Sequence, residues 1–271
     1  MLFKWIRNKV EHDNVIITGI DSRHVMTMYR QPNYFYDNLS ELMSEIGTTI
    51  TEHDSCTRFV EVMKEIMQKE YSSKANYSDK QLFYSFLNKI SGELEKTLIK
   101  NKSFWLQELR NMEGHARNAW ENNLHKEDLR DIRDEQMADN LLWLARIKYP
   151  NKKIIVWAAN NHIVKNGFKP NANVVYVDGM YTEDGYNDAV SMGRIINDSI
   201  GNEMYVLGFT SYAGMGGRVT VPNKFEISPA STGTYEGWIH SKGYNFAFTD
   251  MKKVNAIKSD GFTSKLFGHK R

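Results

Sequence analysis

Three kinds of side chain stand where this chain can do chemistry. His162 and Asn160 close an apolar run, Ile154-Ile155-Val156-Trp157-Ala158-Ala159. An apolar strand that ends in amide and imidazole groups is where an α/β protein opens side chains onto a crevice at the carboxyl edge of its sheet. An imidazole titrates close enough to neutrality to serve as general base or acid there. The plainer alternative is a half-buried His satisfied by a backbone carbonyl. Arg133 and Asp134 open a second stretch, Arg133-Asp134-Glu135-Gln136-Met137-Ala138-Asp139-Asn140-Leu141-Leu142-Trp143-Leu144. The planar fork of Arg133 suits bidentate contact with a substrate oxygen or a catalytic carboxylate. Asp134 at a helix start is accounted for by the dipole and by exposed amides that need a cap. Asp21, Arg23 and His24 follow a first β-branched run, Asn14 to Asp21. Asp21 and His24 form either an acid–imidazole pair on a substrate or a turn, and two such residues do not make a metal site.

Other chemistry-bearing residues read more plainly. Glu113-Gly114-His115 has no zinc spacing, and residues two apart on a helix point to different faces. A solvated face is expected there. The glycines from Gly208 to Gly217 follow a predicted strand, but neither a phosphate-cradling GxxxxGK[ST] nor a GxGxxG is present. The nucleophile elbow GxSxG is missing as well, so a standard serine α/β-hydrolase is not supported. Cys56, the one cysteine, precedes an apolar helical run and reads as a packing residue that can form no intrachain disulfide.

The elements that must carry these residues follow from periodicity. From Tyr34 to about Lys148 the apolar positions recur at helical steps. Phe59, Val60, Met63, Ile66 and Met67 make one stripe, and Phe83, Phe86, Leu87, Ile90, Leu94 and Leu98 another, with Ser78 as the expected cap. After Pro150 the runs shorten. Residues 153–158, 174–177, 204–209 and 246–249 read as strands, with helices expected over 189–200 and 232–240. Together with 14–21, this predicts an α/β protein: a central sheet flanked by helices, carrying a large all-helical insertion. One domain over 1–271 is expected, mainly helical over 34–148 and α/β over 150–255. The half-helix over 2–7 followed at once by a central strand is an abrupt opening, expected of a domain that is partial at its N-terminus.

Composition sets the outer bounds. The 271 residues are 41% hydrophobic and 25% charged, ordinary for a globular protein large enough to bury a core. A net charge of +2 leaves no electrostatic footprint for nucleic acid. No stretch has the length of a transmembrane helix, and residues 1–7 lack the apolar core of a signal peptide. A cytoplasmic protein with no membrane partner is the expectation; the oligomeric state is left open.

The composite pattern RDxxMAxNLLWL, from Arg133 to Leu144, with VWAxNxHI, from Val156 to Ile163, resembles the erythromycin esterase family. Met1 to Arg7 is similar to the end of a family helix carrying Trp-x-Arg, and Val15 to Asp21 to the strand after it, which ends Gly-x-Asp. Gly193 to Phe209 and Phe246 to Met251 are similar to later family segments. The resemblance implies a hydrolase that opens macrolide lactones or related esters with His-activated water, an activity tied to the response to antibiotics and to resistance. It implies no cofactor and no metal, and a small-molecule substrate. Carried over residue by residue, it points to His162, Asn160 and Arg133 as catalytic and to Asp21 and His24 as substrate-binding. Two departures bear on activity: the family's Gly-Glu-x-x-His motif and the Glu after it are absent, and Ala159 stands where the family pattern has a His. A weak or inactive esterase is therefore expected of this chain alone. The competing expectations are a non-catalytic relative that binds a small molecule or a partner, and a metal-dependent enzyme using Asp21, His24 and His162.

Overall fold

The computed structural model describes residues 2–12, 15–23, 34–48, 55–68, 75–121, 131–165, 190–217, 223–251 and 253–254. The chain divides into two compact units, one of Met1–Gly167 with Asp188–Met204, the other of Phe168–Asn187 with Tyr205–Arg271.

The first unit is built from helices. These are α1 (Leu2–His12), α2 (Tyr34–Glu45), α3 (Cys56–Gln68), α4 (Tyr77–Glu95), α5 (Lys102–Glu121), α6 (Ile132–Trp143), the single turn α7 (Asn160–Ile163) and α8 (Met192–Ile200). The two predicted stripes bury as expected: Phe59, Met63, Ile66 and Met67 of α3 meet Phe83, Phe86, Leu87, Ile90 and Leu94 of α4 in the main core. Phe59 stacks on both Phe83 and Phe86, with ring centroids 5.4 and 5.0 Å apart. Trp120 of α5 meets Phe83 edge-on at 5.4 Å. Such pairs add to area burial because ring edges and faces carry opposite partial charge. Arg58 ties α3 to α4 through a two-pronged bond to Asp79, at 2.9 and 2.7 Å.

Details of the stripe differ from the sequence reading. Asn76, not Ser78, caps α4, its side chain accepting from the Asp79 amide at 2.9 Å. The cap must sit outside the first turn with extended backbone, and Ser78 is already inside it. The helix ends at Glu95, so Leu98 falls off the stripe and is exposed. Cys56 is half-buried against the core, as a packing residue should be. His115 departs from the solvated face assigned to it: Glu113 is exposed, but His115 is buried at 3% exposure, since residues two apart do lie on different faces.

A second, smaller core joins Met137, Ala138 and Leu141 of α6 to Met192 and Ile196 of α8. Ile20, Val156, Ala158, Ile163 and Met204 pack against it. Val156 and Ala158 are half-buried while Ile155 and Trp157 are exposed at 96% and 82%, the alternation of a strand with one face on a core. Yet neither 15–20 nor 153–158 is hydrogen-bonded into a sheet. Period two fixes which side chains face inward. A strand also needs a neighbour that supplies the ladder, and that partner is not written in the run itself. The same holds for 204–209 and 246–249, while 174–177 lies outside the described residues.

In the second unit, β1 (Gly214–Gly216) and β2 (Phe225–Ile227) pair antiparallel with Gly214 opposite Ile227, the one sheet among the described residues. The end of the predicted Gly-rich loop is thus a strand. Helix α9 (Tyr235–Ser241) follows, capped by Thr234. Buried Glu236 accepts from Thr210 at 2.5 Å, and His240 stacks on Tyr212 at 3.8 Å. Among the described residues, no helix is long and apolar enough to cross a membrane.

Candidate functional site

Four pieces of the first unit converge where α6 begins. Asp131 is the N-cap of α6, its carboxylate accepting from the amides of Arg133 and Asp134 at 2.9 and 3.3 Å. That cap leaves the next two charged side chains free to point elsewhere. Successive helical residues diverge by about 100°, and Arg133 and Asp134 accordingly approach different nitrogens of the His162 ring, Arg133 also meeting Asp21.

Arg133 reaches the segment after the first apolar run. Its Nε donates to Asp21 Oδ1 at 2.9 Å and its Nη2 to Oδ2 at 2.5 Å, the fork-on-carboxylate geometry that only arginine offers. Burial works to raise the Asp21 pKa, but the bonds and charge of Arg133 outweigh it and hold the carboxyl below its ordinary value. The remaining arm, Nη1, lies 3.5 Å from His162 Nε2.

His162 is carried by α7, whose turn closes with the His162 amide donating to the Ala159 carbonyl at 2.9 Å. Its Nδ1 lies 2.5 Å from Asp134 Oδ1. The second oxygen of Asp134 accepts from the Met192 amide, at the start of α8, at 2.9 Å. Asp134 is almost wholly buried, so its charge is met by a backbone N–H on one oxygen and an imidazole N–H on the other. An Arg N–H can donate only to an unprotonated ring nitrogen. The partners therefore place the proton on Nδ1 and the lone pair on Nε2. The result is an alternating row of acceptors and donors: the Met192 amide, Asp134, His162, Arg133, Asp21.

Helix α8 is locked onto the same turn. Ser191 donates to the Val164 carbonyl at 2.6 Å and caps α8 by accepting from the Arg194 amide. Gly193 permits the approach: a Cβ there would stand 2.3 Å from the Ile163 carbonyl carbon and 2.7 Å from the Val164 oxygen.

Of the residues singled out by sequence, Asp21, Arg133 and His162 come together. Asn160 opens the turn that carries His162 and is half-buried. His24 lies outside the described residues. Arg133 faces the Asp21 carboxylate. Asp134 was read as a dipole and capping residue; Asp131 caps instead, and Asp134 orients the imidazole. An acid beside Arg133, with a better-placed cap three residues earlier, was the available signal. Asp131 itself is pushed above its ordinary pKa by burial and by the neighbouring Asp134. Among the described residues, no group of three His, Cys, Asp or Glu side chains is gathered as a metal site.

A carboxylate-oriented imidazole next to an arginine–carboxylate pair defines a class of site suited to general base work on water. Residues 1–268 match the erythromycin esterase family, and the chain belongs to it. It is similar to "Putative hydrolase YbfO" of Bacillus subtilis (strain 168), 23% identical over an alignment of 236 residues that covers 79% of this chain and 48% of that protein. It is also similar to "Erythromycin esterase type II" of Escherichia coli, 33% identical over 82 residues, 30% of this chain and 16% of that protein. The chain thus spans about half the length of the first relative and less of the second. No solved structure matches it.

Proposed function

We propose that this chain carries the site of a hydrolase acting on a carboxylic ester or a macrolide lactone. The observation that carries the reading is the Asp134–His162 bond with Nε2 left as the basic nitrogen. Family membership and the relatives' names support it. In this reading a water takes the place of Arg133 Nη1 at His162 Nε2, which removes a proton from it as the water oxygen bonds to the ester carbonyl carbon. The carbonyl electron pair moves onto oxygen, and the oxyanion is met by an N–H of Arg133 Nη1 or of the Asn160 amide. When the tetrahedral centre collapses, the C–O bond to the leaving alkoxide breaks, and the proton held on His162 passes to it. Asp134 keeps the ring in the productive tautomer, and Asp21 holds Arg133 in place. We take the whole chain as one erythromycin esterase-like domain.

The test is hydrolysis of p-nitrophenyl esters and of erythromycin by the full chain. His162→Ala should lower turnover by about two to four orders of magnitude, the range lost with a positioned base. Asp134→Asn, which keeps the shape but lets the ring take the wrong tautomer, should fall in the same direction. Unchanged turnover in His162→Ala would sink the assignment. A second reading, a relative that binds its ligand without turning it over, is favoured by Ala159 standing where the family pattern has a His. Saturable erythromycin binding with no product from the unaltered chain would decide for it.

A further inference from the structure

Residues 15–23 belong to none of the helices or strands, yet Asp21 within them must meet the Arg133 fork to within a few tenths of an ångström. What holds it is polar and buried. Along one face of α5, Gln107, Asn111 and His115 recur every four residues, each at 6% exposure or less. Asn140 of α6 lies against them. Its Oδ1 accepts from Gln107 Nε2 at 2.8 Å and from Gln136 Nε2 at 3.1 Å. Its Nδ2 donates to Asn111 Oδ1 at 2.9 Å and to the Ile20 carbonyl at 2.8 Å. All four hydrogen-bonding positions of the amide are used, so the side chain has one orientation. Two residues along, the Ser22 carbonyl meets His115 Nδ1 at 3.1 Å. The carbonyls immediately before and after Asp21 are therefore each gripped by a side chain from a buried helix face.

Apolar residues of the same shape would fill the space between the two helices as well as the four buried polar side chains Gln107, Asn111, His115 and Asn140 do, so packing alone does not select them. The row ends on the backbone around the Arg133 partner. We propose that Asn140 and His115 are positioning residues of the hydrolytic site, setting the backbone at 20–22 so that Asp21 meets Arg133 and Arg133 meets His162. The inference rests on the reading of that site as hydrolytic, but its first test does not need turnover.

In the unaltered chain the Arg23 amide, which donates to Asp21 Oδ1 at 3.1 Å, should exchange with deuterium far more slowly than an open segment. Exchange there at the unprotected rate would overturn the proposal, whatever the variants do. The carboxyl carbon of Asp21, followed by NMR against pH, should titrate below its ordinary value in the unaltered chain. In Asn140→Ser and in His115→Leu it should move up toward the ordinary value of about 3.9. His115→Asn, which restores an N–H toward Ser22, should bring it back down. An Asp21 titration that stays put in both folded variants overturns the proposal. Turnover of p-nitrophenyl butyrate separates the two readings. An Asp21 shift with turnover lost alongside it supports both. An Asp21 shift in a chain whose turnover ignores His162→Ala supports the grip and removes the hydrolytic role.

Discussion

His115 shows how one residue carries both a structural and an electrostatic load. Burial lowers its pKa below the ordinary value of 6.5, and the charge of Arg23 adds to this. The carbonyls of Ser22 and Ile66 and the charge of Asp21 oppose the shift without cancelling it. The unfolded chain therefore takes up a proton on this ring at a higher pH than the folded chain does. The stability that depends on a neutral His115 is complete above about pH 6.5 and is lost as pH falls below it. His115→Gln removes that dependence. Urea midpoints measured at pH 7 and pH 5 should fall further for the unaltered chain than for the variant, and equal falls would contradict the burial argument. Asp134 shows the limit of reading one residue at a time. As a sequence letter it is a helix-start acid, and only the position of His162, far along the chain, gives it a second use.

Among the helices of the first unit, α8 has the tightest fit at a glycine. Its first turn lies against the backbone of 163–164 with no room for a methyl group, and the obstructing atoms are main-chain atoms that cannot swing aside. Gly193→Ala should push α8 off α7, lengthening both the Met192–Asp134 and the Ser191–Val164 bonds. Overpacking of this kind costs about 1–3 kcal/mol. Thermal unfolding should show that loss, and ester turnover should fall with it. A variant as stable as the parent would show that α8 shifts freely. The helices were legible because a period near 3.6 is local: Phe83, Phe86, Leu87, Ile90 and Leu94 announce their own face. The ends were less so, since Asn76 and Ser78 are both good caps and the choice depends on which residue turns first. For 153–158 the apolar run was legible as a strand, but its one-sided burial was not, because the facing core and the pairing partner both lie in distant segments. Asn160 to His162 fell where the apolar run ends, as read. The grip on Asp21 was not legible, because Gln107, Asn111 and Asn140 look like solvated helix residues until the two helices are laid together.

For the molecule as a whole, the load-carrying core and the chemistry occupy different places. Phe59, Phe83 and Phe86 stack among α3 and α4, whereas His162 and Arg133 stand at the second core between α6 and α8. Phe83→Ala should cost about 3–5 kcal/mol through lost burial and the cavity left behind. Denaturant titration would measure it, and the fraction that stays folded should keep the parental turnover. A fall in turnover per folded molecule would mean that the two cores are coupled. The division also explains what sequence could reach: the first core includes neighbouring stripes, whereas the second joins α6 to α8 across an intervening stretch of chain and takes in Ile20 from far upstream.

That separation has a consequence for how the protein comes into being. Residues 21, 133–134, 162 and 192 come from four separate segments, so closing their contacts means bringing together loops whose entropy is given up before any bond repays it. Helices α3 and α4, held by near neighbours, have no such handicap. A newly made chain can thus be largely helical and compact while still lacking its alternating row of donors and acceptors. By this argument the site's contacts should close after the first core has formed, so an intact site would report that the rest of the unit has been built.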